Sequence, residues 1–594
     1  MQDSWQELTK PFRGNDQMAS NYFVHMVKSY LLNNQHRVHM ELQPSATLEQ
    51  DMIDQEAAKL KAFQGTLSPK EFNDIKAKSQ HVKDVQNAID PPSVVNTIPS
   101  LSLADIDKTG IEYDISVNEH AFGSATTLTT NIAQGNAGIV YIDIGIDISD
   151  LGYANVPMIP FIISMMDEND TENYSRAELD TLIGIDTGGI SMSLELMPLY
   201  ERGQLDYIAS NSKKMRSILF FRGKCTVEKA SNLLTLIEEI VHRSLPVSQE
   251  KAVQILERQI SSLEASLVSS GHSYAVRRMH ARYDYQSLLS EHLYGFSQYM
   301  FLKEILIKAK NNWDFFEQRI RKVMGSFSEM HSSETIINLT GDSSSIQKLG
   351  TLMELFITNL KNDASSPNLP NFYNVDHPWM EKVALHSSEN DPLRDEGIPI
   401  SSQVSYVGEG GTLFNHGEKI RGGNCVPLQF LRKGYLWDNV RAKNGAYGVS
   451  TSLDQTDGTL YMVSYRDPQL LKTIEVYDNA GGYLSGQLED KAITSQTIKT
   501  AIVGCIGDID GSALPPSEVG WLAFRRYLSG SMSDRRQRWR DEILSAQISD
   551  FKIFAEKLQN WAANSTIVAV APESKLASAA QAGKPLFVLS ADPS

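Results

Sequence analysis

Cysteine is scarce in this chain: Cys225, Cys425 and Cys505 are the only three among 594 residues, and they lie far apart. None has the spacing of a zinc ribbon or a redox dithiol, which argues against a disulfide scaffold and for a reducing compartment. Long apolar runs are also missing. The richest, Val156–Met166, falls well short of the ~18–20 residues that cross a bilayer. The first residues, MQDSWQELTKPFRGND, have neither an apolar leader core nor an Arg-rich, acid-poor transit composition. They read as though the chain starts inside a larger fold. Basic residues are in deficit, 55 Lys and Arg against 72 Asp and Glu, for a formal net charge of −17. Such a surface repels phosphate backbones and so argues against nucleic acid as a partner. It suits cationic peptides, and it equally serves plain solubility.

Catalytic signatures are missing as well. The chain has no G-x-S-x-G nucleophile elbow and no G-x-x-x-x-G-K-[ST] phosphate loop. A helical zinc site needs two histidines one turn apart, with a Glu beside them to activate water. No H-x-x-E-H or H-E-x-x-H stands here. The nearest approaches, His331-Ser-Ser-Glu334 and His386-Ser-Ser-Glu389, are followed by Thr335 and Asn390, so each lacks its second imidazole. His280 and His292 are too far apart to share a metal from one helix face. No metal-ligand set is therefore assigned to this chain.

What is present is ordinary globular material, 41% apolar and 21% charged, long enough for three or four domains. Residues 18–32 have helical spacing, and Arg37–Leu42 switches to period two. Thr47-Leu-Glu-Gln50 and Ser68-Pro-Lys-Glu71 read as capping boxes opening two charged helices. Gly65 is placed in the turn between them, and Pro91-Pro92 closes the hairpin. From Ile111 to about Leu360 strands alternate with helices. Ile139–Ile148 sets Ile142, Ile144, Ile146 and Ile148 on one face against Tyr141, Asp143, Gly145 and Asp147 on the other, the pattern of a mostly antiparallel sheet with helices on one side. Ser175-Arg-Ala-Glu178 opens a further capped helix, and Arg216–Cys225 is a strand. Gln249–Lys310 is helical, broken at Ser270-Gly271. The polar segment 361–374 marks a domain boundary, and residues 375–594 repeat the same order of elements. Gly188-Gly189 is read as close backbone approach, Gly408–Gly411 as a hairpin turn, and the Asn338-Leu339-Thr340 sequon as a strand exit. Arg277-Arg278 are read as solvated or ion-paired, with contact to acidic peptides as the alternative. The fold class is α+β, with two similar domains.

Several stretches together resemble a known family: YLLNNQHRVHMELQP, GIVYIDIGIDISDL (138–151), IGIDTGGIS (183–191), SGHSYAVRRM (270–279), LWDNVRAKNGAYGV (436–449), SYRDPQLLKTIEVYD (464–478) and AIVGCIGDIDGSALP (501–515). In this order they resemble the C-terminal half of the pitrilysin/insulinase-type zinc metallopeptidases, in the presequence-protease and falcilysin branch. The resemblance implies the tail of an N-terminal half in residues 1–45, a helical hairpin hinge in 46–100, and two homologous α+β domains in 101–365 and 366–594. It also implies a closed chamber that degrades short unfolded peptides, targeting presequences among them. Zinc is implied for the holoenzyme, with its ligands on a zinc-bearing N-terminal half, in the same or a separate polypeptide. An organelle matrix, mitochondrial or plastid, is implied too, although no targeting segment is visible; otherwise the expectation is cytoplasmic.

By the same resemblance, Arg441 and Tyr447 reach the scissile peptide. Peptide hydrolysis builds negative charge on the carbonyl oxygen, and a guanidinium and a phenol are suitable donors to it. Gly445 between them allows a sharp turn. The family more often has Gly where this chain has Asn444. Read without the family, the segment is a strand–turn–strand in which Arg441 pairs with Asp438 and Tyr447 packs on the core. A chain without H-x-x-E-H can also be a non-catalytic peptide-binding or scaffolding subunit.

Overall fold

The computed structural model describes residues 16–43, 45, 47–88, 90–95, 97–99, 101–113, 115–118, 126–131, 138–149, 151–201, 203–210, 214–325, 335–359, 380, 385, 394–511 and 513–590. Met1–Asp90 and Pro91–Ser594 form two separate compact units.

In the first unit a helix covers Asp16–Met26 and runs on as a wider π-helical turn through Leu32. Arg37–Leu42 pairs with no strand among the described residues, and Val38, Met40 and Leu42 are exposed. The period-two pattern is there, but a strand exists only where a second backbone takes up its hydrogen bonds. Two 19-residue helices follow, Leu48–Thr66 and Pro69–Asn87. The Ser68 box forms as read, its hydroxyl accepting from the Glu71 amide and the Glu71 carboxylate accepting from the Ser68 amide, with Pro69 in the first turn. The Thr47 box does not form; that hydroxyl donates to Asp51 at 3.0 Å instead. Gly65 sits inside the last turn of the first helix, and the chain turns at Leu67. Apolar side chains of both helices, including Met52, Phe63, Phe72 and Val82, are exposed.

The second unit holds two six-stranded sheets. The first contains β1 (Ile115–Asn118), β2 (Thr126–Asn131), β3 (Ile139–Asp147), β4 (Ile190–Pro198), β6 (Met215–Thr226) and β7 (Thr335–Gly341), while β5 (Tyr207–Ile208) lies outside it. The second sheet contains β8 (Glu396–Pro399), β9 (Tyr406–Thr412), β11 (Gly448–Leu453), β12 (Thr459–Tyr465), β13 (Thr566–Ala571) and β14 (Phe587–Val588). The remaining strand, β10 (Lys419–Ile420), pairs with β5.

The first sheet runs β4-β6-β3-β7-β2-β1 and the second β11-β12-β9-β13-β8-β14. Their first five strands have the same connectivity. In both, three antiparallel pairs are followed by one parallel pair, β7–β2 and β13–β8. Only the sixth strand differs. The repeat is therefore one of topology, within a mostly antiparallel α+β fold.

The two repeats exchange helices. The long helix Gln249–His280 belongs to the first repeat but packs against β9, β12 and β13 of the second. Helix Pro516–Leu528 belongs to the second repeat but packs on β2 and β7 of the first. There Trp521 and Phe524 meet Phe220 at ring separations of 4.8 and 5.7 Å, so part of the polar-patterned face of the first sheet is also covered. That cover explains why Asp143 on β3 is buried, held by Arg222 at 3.0 Å and by the Asn338 amide at 2.8 Å. Asn338 thus lies mid-strand in the interior, not at a strand exit.

Glycines make the helix crossing possible. Gly408–Gly411 is not a hairpin turn but most of buried strand β9. A Cβ at Gly408 would lie 2.8 Å from Met279 Cε on the long helix, and one at Gly411 would lie 3.0 Å from Ser565 Cα. The helix itself kinks at Ser270 (φ −131°, ψ 30°), as the sequence break suggested. Gly271 beside it faces the Tyr406 ring with no room for a side chain. Gly188-Gly189 behaves as read: the Gly188 amide donates to Lys224 O at 2.7 Å, and Gly189 has φ +112°. At the start of this unit, Asp107–Glu112 is clamped to helix Ser533–Leu544 through Arg536, Gln537 and Arg540. The 361–374 boundary and both His-Ser-Ser-Glu sequences fall outside the described residues.

Candidate functional site

Arg441 and Tyr447 are placed on a helix, a turn and the first residue before a strand. Arg432–Lys443 is wound as a π-helix, Asn444 ends it in a right-handed conformation (φ −92°, ψ −8°), and Gly445 takes the left-handed turn at φ +83°. The Asn444 departure is thus harmless to the turn, since the left-handed position is one residue on, where Gly carries no Cβ penalty. Ala446 is buried and anchors the loop. The Tyr447 amide donates to Tyr465 O at 3.0 Å, which starts the β11–β12 ladder.

The strand–turn–strand alternative is not what forms. Arg441 is helical and stacks on Trp437, one turn earlier, with its guanidinium carbon 4.2 Å from the ring centroid; the Tyr447 centroid is 5.7 Å away. Neither Arg441 nor Tyr447 makes a side-chain hydrogen bond or an ion pair among the described residues. Tyr447 is 66% exposed and Trp437 40%, so the donors face solvent and not the core. Cation–π contact orients a guanidinium while leaving its N–H groups in the ring's surroundings available to an acceptor.

Behind this pair stands a second aromatic layer. Tyr447 meets Tyr465 edge-on at 5.7 Å, and Tyr465 meets His272 at 4.8 Å and Tyr406 at 5.6 Å. Three stretches distant in sequence, around 272, 447 and 465, therefore converge on one surface. Burial, and then the nearby Arg277 charge, pushes the His272 imidazole pKa down from its ordinary value. Arg466, next to Tyr465, has φ +50°, uncommon for a residue with a Cβ. Sequence reading missed His272, Trp437 and Tyr465. The signal for Trp437 was its place one helical turn before Arg441.

Elsewhere the ion-paired reading holds for Arg278. Arg278 is bound to Glu396 at 2.8 and 3.2 Å, while Arg277 donates to Tyr294 O at 3.2 Å. His292 lies 2.6 Å from the Tyr153 hydroxyl. A cavity of about 290 Å³ is lined by Cys425, Arg432, Thr451, Cys505 and Asp508 and contains neither Arg441 nor Tyr447. The structure does bring together three possible ligands that sequence spacing did not single out: His280, Asp284 and Asp457, whose ligand atoms all lie within 4.8 Å of one another. None belongs to an H-x-x-E-H sequence.

The chain is similar to known proteins over most of its length. Residues 42–305 match the family model of the associated domain of M16 peptidases, subfamily C, and residues 395–573 match the "PreP C-terminal domain". The chain is 28% identical over 549 residues to presequence protease 1, chloroplastic/mitochondrial, of Arabidopsis thaliana, covering 92% of this chain and 47% of that protein. It is 23% identical to the mitochondrial presequence protease of Saccharomyces cerevisiae, covering 97% of this chain and 55% of that one. The crystal structure of a protease from Helicobacter pylori shares the fold, with a TM-score of 0.50 at 15% identity, over 78% of this chain and 99% of that one. The chain is a presequence-protease-like member of the M16 peptidases. It spans about half the length of the curated relatives it matches.

Proposed function

We propose that this chain is the substrate-binding, chamber-closing C-terminal half of a zinc metalloendopeptidase that degrades short unfolded peptides such as targeting presequences. In this reading 101–365 and 366–594 are its two α+β domains, 46–100 is the hinge, and 1–45 is the tail of the other half. The observation that carries the reading is the Arg441–Tyr447 pair. A guanidinium and a phenol with no acceptor among the described residues stand side by side on an open surface backed by aromatic rings. Extended peptides offer carbonyl oxygens for such donors and apolar side chains for such rings.

The residues here do not supply the catalytic zinc site. Its H-x-x-E-H ligands and general base belong to the partner half, so this chain on its own hydrolyses nothing. When present, the metal supplies the activated water; Arg441 and Tyr447 bind and polarise the peptide carbonyl. The −17 charge favours basic peptides. The site of action in this reading is an organelle matrix; the names of the relatives call them mitochondrial or chloroplastic.

The test is reconstitution. The purified chain is mixed or co-expressed with an H-x-x-E-H half from the same source and assayed on a fluorogenic basic peptide. Activity is expected only from the combination. Peptide binding by this chain with no activity in any combination would instead establish the non-catalytic peptide-binding subunit.

A further inference from the structure

His280 ends the long helix, Asp284 caps the next helix Tyr285–Tyr294, and Asp457 lies in the turn joining β11 to β12. The cluster thus joins the first repeat to the second. Asp457 is only 8% exposed, and its Oδ2 has no hydrogen-bond partner among the described residues; His280 Nε2 is likewise buried and without one among them. The other carboxylate oxygens are used structurally. Asp457 Oδ1 accepts from the Thr459 amide at 2.8 Å and from its hydroxyl at 2.7 Å, and Asp284 Oδ1 accepts from the Ser287 amide at 3.0 Å. These bonds fix both carboxyl groups. Neither carboxylate makes an ion pair among the described residues, and Asp454 adds further negative charge nearby. Polar atoms this deep are costly to leave unsatisfied. A cation satisfies them together.

We propose that His280, Asp284 and Asp457 form a binding site for a first-row divalent transition metal of the Zn²⁺ type, which pins the β11–β12 hairpin to the end of the long helix. One imidazole and two carboxylates are a three-ligand set that suits Zn²⁺, with bonds of about 2.0–2.2 Å. Tetrahedral bonds of that length space the ligand atoms about 3.3–3.6 Å apart, against a present spread within 4.8 Å. Mg²⁺ demands six oxygens in an octahedron, and an imidazole excludes it. The Irving–Williams order puts Zn²⁺ above Mn²⁺ at one and the same site. The hairpin that carries Asp457 starts at Tyr447, so the metal would stiffen the element bearing the exposed donors.

The experiment uses the whole chain, stripped with chelator and dialysed, then titrated with Zn²⁺, Mn²⁺ and Mg²⁺ by calorimetry. One Zn²⁺ per chain is expected, with weaker Mn²⁺ binding, no Mg²⁺ binding, and a rise in thermal midpoint with Zn²⁺. Asp457→Asn and His280→Gln should each abolish stoichiometric uptake and the thermal shift. Co²⁺ added to the unaltered chain should give visible d–d bands without sulfur charge transfer, a readout that stands even if a variant does not fold. No stoichiometric Zn²⁺ uptake by the unaltered chain overturns the proposal. So does uptake that survives in folded Asp457→Asn, or a Co²⁺ spectrum with thiolate bands.

Discussion

Arg282 and Glu396 meet at 2.7 Å in the interior, with 4% and 5% of their side chains exposed, and they join the residues just after the long helix to the first strand of the second sheet. Arg278 binds the same carboxylate from one helical turn earlier, and Arg282 also donates to Arg394 O at 3.1 Å and Thr566 Oγ1 at 2.9 Å. This network is the polar centre of the contact between the two repeats. Burial alone would raise the Glu396 carboxyl, but the hydrogen bonds and charges of Arg278 and Arg282 outweigh it and hold the carboxyl below its ordinary value.

Removing that carboxylate leaves two guanidinium groups facing a neutral amide. Glu396→Gln should therefore destabilise the fold by roughly 3–5 kcal/mol, seen as a lowered unfolding midpoint at neutral pH. The sign of the pH dependence follows from the depressed value. The Glu396 contribution is present above the ordinary carboxylate pKa of about 4.3 and is lost as pH falls through its lower folded value. The variant should thus lose less stability than the parent on acidification below about pH 4.

Glu409 on β9 behaves in the opposite way. Burial first, and the Asp478 charge after it, push its carboxyl up to about 8, against the opposing Ser565 hydrogen bond at 2.6 Å. The folded state then binds this proton more tightly than the unfolded chain, so stability falls as pH rises from about 4.3 to 8. Glu409→Gln keeps the shape and has no proton to lose. Thermal midpoints measured from pH 5 to 9 should fall less steeply for the variant than for the parent, with the variant ahead at the alkaline end.

Gly271→Ala places a methyl against the Tyr406 ring, 2.8 Å from Cε2 and 2.9 Å from Cγ. That ring is buried, and its hydroxyl donates to Val268 O at 2.6 Å, so it cannot swing aside freely. A cost of about 1–3 kcal/mol is expected from overpacking, measured by thermal or denaturant unfolding. Gly65→Ala, with open space around the added methyl, serves as the control without overpacking.

In the reconstituted peptidase, Tyr447→Phe should lower kcat and kcat/KM together by roughly 10²-fold with little change in KM, since a donor to the developing oxyanion acts mainly in the transition state. Arg441→Lys should also lower turnover, because an ammonium lacks the planar fork of donors and the stacking on Trp437. Tyr447 is exposed and its phenol bonds nothing among the described residues, so neither change should move the unfolding midpoint of this chain. Unchanged kcat in Tyr447→Phe would remove the role assigned to it.

The readable parts of the sequence were those in which cause and effect lie within one or two turns of chain. The Ser68 and Ser175 boxes form because donor and acceptor are three residues apart. β3 is visible because its isoleucines alternate, and the helix break at Ser270-Gly271 stands in the residues themselves. Gly445 pointed to a sharp turn, which forms with φ +83° there. Thr47 shows the limit of such signals: the same pattern as Ser68, with a hydroxyl that found Asp51 instead.

Sequence by itself determined the α+β class and most elements, and the family resemblance pointed to Arg441 and Tyr447. Tertiary structure alone decided what those elements touch. Gly408–Gly411 reads locally as a turn and becomes a strand because Met279 and Ser565 crowd onto it, a constraint set by residues far along the chain. Trp437 rather than Asp438 receives Arg441 because a helix, not a strand, carries both. His280, Asp284 and Asp457 carry no shared motif; they meet because a helix of one repeat lies across the sheet of the other. Local pattern fixes backbone hydrogen bonding over a few residues, whereas packing of apolar faces is non-local, and it chooses which distant side chains share a site.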